Sequence, residues 1–252
     1  MDSNREEFLK TVRAALGRVG GDAPAAMPEA TALYGDADSV SRRAAAVRET
    51  MSRQSEQLLA EMAVAAAKSA WSVHTARSVA EARDYIASVA AKLGAKLAMR
   101  SAYEVLDELA LGPALTQTGT ELTLMARSGE DADGTERRGL REKALKSDIG
   151  ITGVDYAISE TGSVAIAAGR GVSRLVSLVM PVHIAVVRRG QVLPSLDDLF
   201  TLRRLDFLQG RDSSYMNIIS GPSRSADIEQ TIVRGVHGPR EVHMVLLDRG
   251  GP

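Results

Sequence analysis

The chain has 252 residues, long enough for one large α/β domain with an extension and for a sizeable core. Its 44% hydrophobic and 25% charged residues are those of an ordinary globule, and a net charge of -1 argues against a nucleic-acid binder, which carries a basic excess. With no cysteine, the chain has no disulfide, no thiolate nucleophile and no thiolate ligand for zinc or iron–sulfur clusters.

The start lacks a basic segment followed by an apolar one, and no apolar run approaches the roughly 20 residues that span a bilayer. A cytoplasmic protein without a membrane span is the expectation. From Ser3 to Leu16, Phe8, Val12, Ala15 and Leu16 recur at helical spacing, and Gly17 to Pro28 reads as a linker. A longer helix is expected from Asp38 to Ser69, with Val40, Val47, Met51, Leu58, Met62 and Ala65 on one stripe. That stripe serves packing on its own domain or docking to a partner. Residues 1–69 are therefore read as a helical extension and 70–252 as the α/β domain.

Trp71, Val73 and Thr75 alternate as a first strand. Ser78 with Glu81 then forms a capping box, and Val79, Ala82, Ile86 and Val89 mark a helix that Gly94 ends. The grammar repeats with Lys96 to Arg100 as strand, Ser101 with Glu104 as box, Val105, Leu106 and Leu109 as helix face, and Gly112-Pro113 as stop. Strand then helix, twice over, predicts parallel βαβ units. A third strand is expected at Glu121 to Ala126. The polar loop RSGEDADGTER then precedes a helix near Arg138 to Ser147, and reads as solvated rather than as a metal site.

After Gly153 short strands take over. Val154, Tyr156 and Ile158 alternate before SETG, and Val164 and Ile166 after it, so Glu160 to Gly162 is the tip of a hairpin or a sharp strand connection, with Gly162 supplying a positive φ. Arg174 closes the loop after Gly169-Arg170-Gly171 and offers a guanidinium fork to a small carboxylate, solvation being its bland use. His183 to Val187 is a strand. Ser195 with Asp198 caps a helix whose buried face is read as Leu196, Leu199 and Phe200.

Tyr215 to Ile219 is an apolar alternation stopped by the SGPS turn, Ser220 to Ser223. A helix is expected next, capped by Ser223 or Ser225, with Asp227 in its first turn, Ile228 and Ile232 on one face, and Arg234-Gly235 as its end. Such a loop aims amides and hydroxyls at one spot, so Ser220, Gly221, Ser223 and Asp227 are candidate substrate contacts; the carboxylates favour a hydroxyl-rich ligand over a bare phosphate. His237, held between two glycines, is read either as a proton carrier or as a turn residue bonded to backbone. No GxGxxG or GxxxxGK[ST] fingerprint is present, and the histidine spacing gives no zinc motif.

The segments ITGVDYAISETGSVAI, PVHIAVV, ISGPSRSADIE and GVHGPREVHMVLL resemble the LUD-domain family of lactate utilisation proteins, over about Ile151 to Asp248. The resemblance implies a mixed, largely parallel α/β sheet flanked by helices, similar to the ribose-phosphate isomerase, glucosamine-phosphate isomerase and coenzyme A transferase superfamily. It also implies a part in bacterial growth on L-lactate as a cofactor-free subunit beside iron–sulfur partner proteins. It raises Glu160, ahead of Asp155, and Thr161 as residues facing a site; with His237 as the second catalytic candidate and Gly162 and Arg174 as further substrate contacts, these complete the candidate set. The alternative is a stand-alone isomerase-like or transferase-like enzyme, with Glu160 as nucleophile or base and the SGPS loop cradling a phosphate or a coenzyme A ester.

Overall fold

A computed structural model describes residues 7–8, 10–12, 36–126, 134–167, 169, 171–211, 215–228 and 231–249, with backbone alone at 226–228 and 231–234. The linker 17–28, residues 127–133 of the polar loop, Arg170 and most of the opening helix lie outside them; residues 7, 8 and 10–12 of that helix are helical. The chain divides into two units, Met1–Val40 and Ser41–Pro252.

The centre of the second unit is a six-stranded sheet in the order β1 (Ser72–Ala76), β12 (Glu241–Leu247), β7 (Val182–Arg188), β4 (Ile149–Gly153), β2 (Leu97–Arg100), β3 (Glu121–Leu124). Every pairing in it is parallel. Parallel strands are covered on both faces, and all but the ends of β7 and β12 are buried as near-continuous apolar runs. Strand alternation then sorts the side chains. Ile184, Val186 and Val245 meet Ile86, Leu106 and Leu115 from α3 (Val79–Leu93), α4 (Glu104–Glu108) and α5 (Leu111–Gln117). Ala185, Val187 and Met244 face the other way, onto α2 (Ser55–Lys68) and a second sheet.

The second sheet runs β8 (Val192–Leu193), β5 (Tyr156–Ile158), β6 (Ser163–Ala167), β9 (Met216–Ile219), with the SETG hairpin antiparallel between β5 and β6. Beside it, α6 (Thr135–Lys146) and the short α7 (Leu175–Leu178) close over Met99, Met125, Val176 and Met180. The fold class is thus α/β, six parallel strands flanked by helices.

Five local expectations are corrected. The helix from Asp38 to Ser69 is two helices, α1 (Ala37–Arg53) and α2, broken at Gln54, where ψ swings to 17°. Val47, Met51, Leu58 and Met62 are nonetheless buried. Ser101 does not cap α4; its amide extends the β2 ladder to Ile151 O at 3.0 Å, and Tyr103 stands at the N-cap position. Gly112-Pro113 does not stop the chain, because Pro113 sits in the first turn of α5, where no intrahelical acceptor awaits its missing N–H. Phe200 is 54% exposed, and Leu199, Leu202 and Leu205 are the buried face of α8 (Leu196–Leu208). The helix after SGPS is two antiparallel strands, β10 (Arg224–Ile228) and β11 (Thr231–Arg234). Three consecutive β-branched residues, Thr231, Ile232 and Val233, lose side-chain freedom in a helix and suit a strand. Asp227 accordingly lies in a strand, and the SGPS loop leads into β10 rather than into a helix N-terminus.

Candidate functional site

Two turns that are 57 residues apart at their serines meet on the carboxyl end of α2. Gly162, at φ +65°, lies flat on that helix: a Cβ there would sit 2.5 Å from the carbonyl carbon and oxygen of Ala65 and from Ala66 N. Gly221, at φ +109°, likewise presses against Ser69 O. These two positions require glycine for close backbone approach as well as for their left-handed conformation. Ser69 Oγ donates to Thr161 O at 3.0 Å, Arg224 Nη2 donates to Ser69 O at 3.0 Å, Thr161 Oγ1 donates to Ser163 Oγ at 2.8 Å, and Ser163 Oγ lies 2.6 Å from Ser220 Oγ. A line of hydroxyls therefore joins the SETG turn to the SGPS loop.

Beside it lies a cavity of about 570 Å³. Glu61, Lys68, Ser69, Ser159, Glu160 and Thr161 supply its polar lining, and Ala60, Val64 and Ala65 its apolar wall. Lys68 and Glu160 are exposed. Glu160 Oε2 accepts from Leu196 N at 3.1 Å, so this carboxylate also serves the first turn of α8, beside the Ser195–Asp198 capping box.

Ser223 organises the next loop. Its amide donates to Pro239 O at 2.9 Å, its carbonyl accepts from Gly235 N at 3.0 Å, and its Oγ accepts from His237 N at 3.2 Å. His237 is exposed, joined to the SGPS loop through Ser223 and absent from the lining of the cavity at Glu160. All of these groups lie at the amino ends of the parallel strands: Ser69 precedes β1, and Pro181, which accepts from Arg240 N, precedes β7.

Arg174 stands elsewhere. The loop before it rests on the carboxyl ends of β2 and β3: Ala102 N donates to Gly171 O at 2.9 Å, and a Cβ on Gly171 would meet Ala102 and Ala126. Arg174 N takes up the Tyr215 hydroxyl at 3.2 Å, and its guanidinium lies 5.4 Å from the Tyr215 ring centroid. The sequence-predicted residues are therefore divided between the two rims of the sheet.

The carboxyl rim holds groups that the sequence reading passed over. Tyr103 OH donates to Asp155 Oδ2 at 2.8 Å, and the same oxygen accepts from Ala167 N at 2.7 Å. Burial, reinforced by the Asp155 charge, holds the Tyr103 phenol well above its usual range, so it stays a neutral donor. Ser101 is fully buried, and among the described residues its Oγ has no partner; Arg100 gives Nη2 to Asp107 at 2.7 Å and leaves a buried Nη1 unpaired among them. These residues stand at or just past the carboxyl ends of β2 and β4, neighbours in the sheet that β3 separates in the chain, so the available signal was only that each lies at a strand end.

Histidines occupy the core between the rims. His183 is completely buried, its Nε2 2.8 Å from Thr152 Oγ1, and burial first, then His243, pulls its pKa down to about 3. His243 sits between Tyr85 OH at 2.9 Å and Glu241 at 2.8 Å. Among the described residues no group of three or more His, Cys, Asp or Glu is placed to hold a metal ion, and no helix is long and apolar enough to cross a membrane.

Six parallel strands, helices on one face and a smaller mixed sheet with helices on the other, define a layered α/β protein. The family model for the LUD domain matches residues 59–247, and the chain belongs to that family. It is 40% identical over 139 residues to lactate utilization protein C of Halalkalibacterium halodurans, covering 54% of this chain and 60% of that one. It is 33% identical over 114 residues to lactate utilization protein B of Bacillus subtilis, covering 44% of this chain and 22% of that one. The chain thus spans less than two thirds of the length of these relatives. A crystal structure of a DUF162 family protein from Deinococcus radiodurans is similar at 19% identity and a TM-score of 0.47, over 79% of this chain and 98% of the other.

Proposed function

We propose that this chain is a non-redox, cofactor-free subunit of a bacterial system that oxidises L-lactate to pyruvate, acting with iron–sulfur partner proteins. The observation that carries the reading is membership of the LUD-domain family by a chain without cysteine. Lactate oxidation releases two electrons, and a chain with no thiolate has no ligand set of the usual kind for a cluster that would receive them. The electron acceptor then belongs to other subunits. That relatives named lactate utilization protein B and C both share this domain supports a system of several chains.

Within this reading the cavity at the amino rim faces substrate or partner. Lys68 and the hydroxyls of Ser69, Ser159 and Thr161 suit a small carboxylate and Glu160 takes the proton-handling role at the cavity; His237, outside its lining, is the second proton carrier of the reading by way of the SGPS loop, and Gly162, Ser220, Gly221 and Ser223 hold the turns in place. Arg174 falls outside this assignment by position, and Asp227 is known only as a backbone position in β10.

The test is lactate-dependent dye reduction by the purified chain, alone and with its iron–sulfur partners. No turnover alone and turnover on recombination is the expected result; full turnover by the isolated chain overturns it. Glu160→Gln and His237→Gln in the recombined system should each lower the rate at least tenfold. A thermal shift of several degrees with a sugar phosphate or coenzyme A ester, lost in Ser220→Ala or Ser223→Ala, would instead point to a stand-alone enzyme.

A further inference from the structure

We infer that the crevice between the carboxyl ends of β2 and β4 is a binding site for a small carboxylate-bearing ligand. The argument begins with strand order. From β2 the chain moves outward to β3 and then returns to β4 on the opposite side of β2. Connections leaving two neighbouring strands in opposite directions open a crevice at their carboxyl ends, which is where open α/β sheets hold ligands.

The residues in this crevice are furnished for an anion with a hydroxyl. Ser101 Oγ is a buried hydroxyl without a partner among the described residues. Buried hydroxyls are nearly always paired, so this orphan calls for something outside the chain to complete it. Arg174, exposed at the end of the loop that lies over Ala102, adds a guanidinium held against Tyr215. Asp155 supplies the complementary acceptor. Both of its hydrogen bonds, from Tyr103 and from the Ala167 amide, go to Oδ2. Oδ1 is left to receive a ligand hydroxyl, while the carboxylate charge disfavours a doubly charged phosphate. This site is distinct from the cavity at Glu160 and does not rest on the lactate reading.

The experiment is amide NMR of the isotope-labelled full chain, titrated at constant ionic strength with sodium L-lactate, acetate and phosphate against sodium chloride. Saturable shifts centred on Ser101, Tyr103, Asp155 and Gly171 are expected with the carboxylates, tighter for lactate than for acetate, and weaker with phosphate. Ser101→Ala should weaken lactate by about tenfold or more, the loss of one bond to a charged group, while leaving the melting temperature unchanged or raised, because it removes an unpaired hydroxyl. Arg174→Gln should weaken every carboxylate. The inference is overturned by the absence of saturable shifts, by shifts confined to Glu160 to Gly162, by phosphate binding as tightly as lactate, by Ser101→Ala retaining affinity, or by Ser101→Ala destabilising the fold, which would give its hydroxyl a structural task. Each of these leaves the dye-reduction experiment to decide the proposed function separately.

Discussion

Replacing Gly162 by alanine tests whether the SETG turn is seated by direct backbone contact with α2. Two costs add. An L-residue in the left-handed region loses about 1–2 kcal/mol. The new Cβ also falls 2.5 Å from three backbone atoms of Ala65 and Ala66, in a helix anchored by the fully buried Met62 and Ala66. No flexible side chain can move aside, so overpacking adds roughly 1–3 kcal/mol. Gly94→Ala is the matched control: its φ is +62°, nearly the same, but nothing lies within 4 Å of the added Cβ. It should show the conformational cost alone. Urea denaturation followed by circular dichroism should place Gly162→Ala about 1–3 kcal/mol below Gly94→Ala, with the same dependence on denaturant; in melting temperature each kcal/mol is worth roughly 2–4 °C. Equal losses in the two variants would refute the docking argument, since the clash is the only feature that separates them.

Three further outcomes follow from the geometry. His183 is buried neutral with its pKa lowered to about 3, so between pH 6.5 and 3 the unfolded chain binds a proton that the folded chain refuses, and stability falls as the pH falls. At up to about 1.4 kcal/mol per pH unit, pH 5 should cost roughly 2 kcal/mol relative to pH 7, and His183→Gln should flatten that slope in urea titrations. Tyr85→Phe keeps the ring stacked 4.1 Å from His74 but removes the hydroxyl that pairs His243 Nδ1, and should cost about 1 kcal/mol by the same assay. Ser195→Ala breaks the reciprocal capping box of α8 and should also cost about 1 kcal/mol, against a few tenths for the exposed Glu160→Ala, because Ser195 serves Asp198 N and holds its carboxylate.

What could be read directly was local. Ser78 accepts from Glu81 N, Gly94 closes α3 in the left-handed conformation, and Ser195 pairs with Asp198, since a cap and its helix lie within four residues of each other. The SETG hairpin was legible for the same reason, its two strands and its glycine being contiguous. Ser101 shows where such reading stops. With Glu104 three residues on it has the form of a capping box, but a neighbouring strand claims its amide and the helix begins later. The competing partner, Ile151, is 50 residues away, and only the pairing of β2 with β4 brings it there. The segment after SGPS fails in the opposite sense: Ile228 and Ile232 have helical spacing, yet Thr231 to Val233 have strand propensity, and antiparallel pairing with Arg224 and Ser225 decides the matter.

The same limit explains the division of the candidate residues. A motif states which chemical groups are present, whereas the end of the sheet on which they stand depends on strand direction and strand order together. SETG and SGPS converge because β6 and β9 are antiparallel neighbours, which puts the start of one beside the end of the other, at Ser163 and Ser220. Arg174 is chemically the better carboxylate receiver, but it leaves a loop laid over β2 and β3 and so belongs to the opposite rim. Replacing the expected helix by β10 and β11 removes the helix N-terminus that would have drawn an anion to SGPS, and among the described residues the groups that remain there are hydroxyls, the exposed Lys68, the Arg224 guanidinium bonded to Ser69 O, and carboxylates. The carboxyl rim instead offers the Arg174 guanidinium, a buried hydroxyl without a partner among the described residues and the oriented carboxylate of Asp155. The case for a small carboxylate at β2 and β4 therefore rests on the unpaired Ser101 hydroxyl, since the hydroxyls of Ser69, Ser159, Thr161 and Ser163 at the turns all have partners.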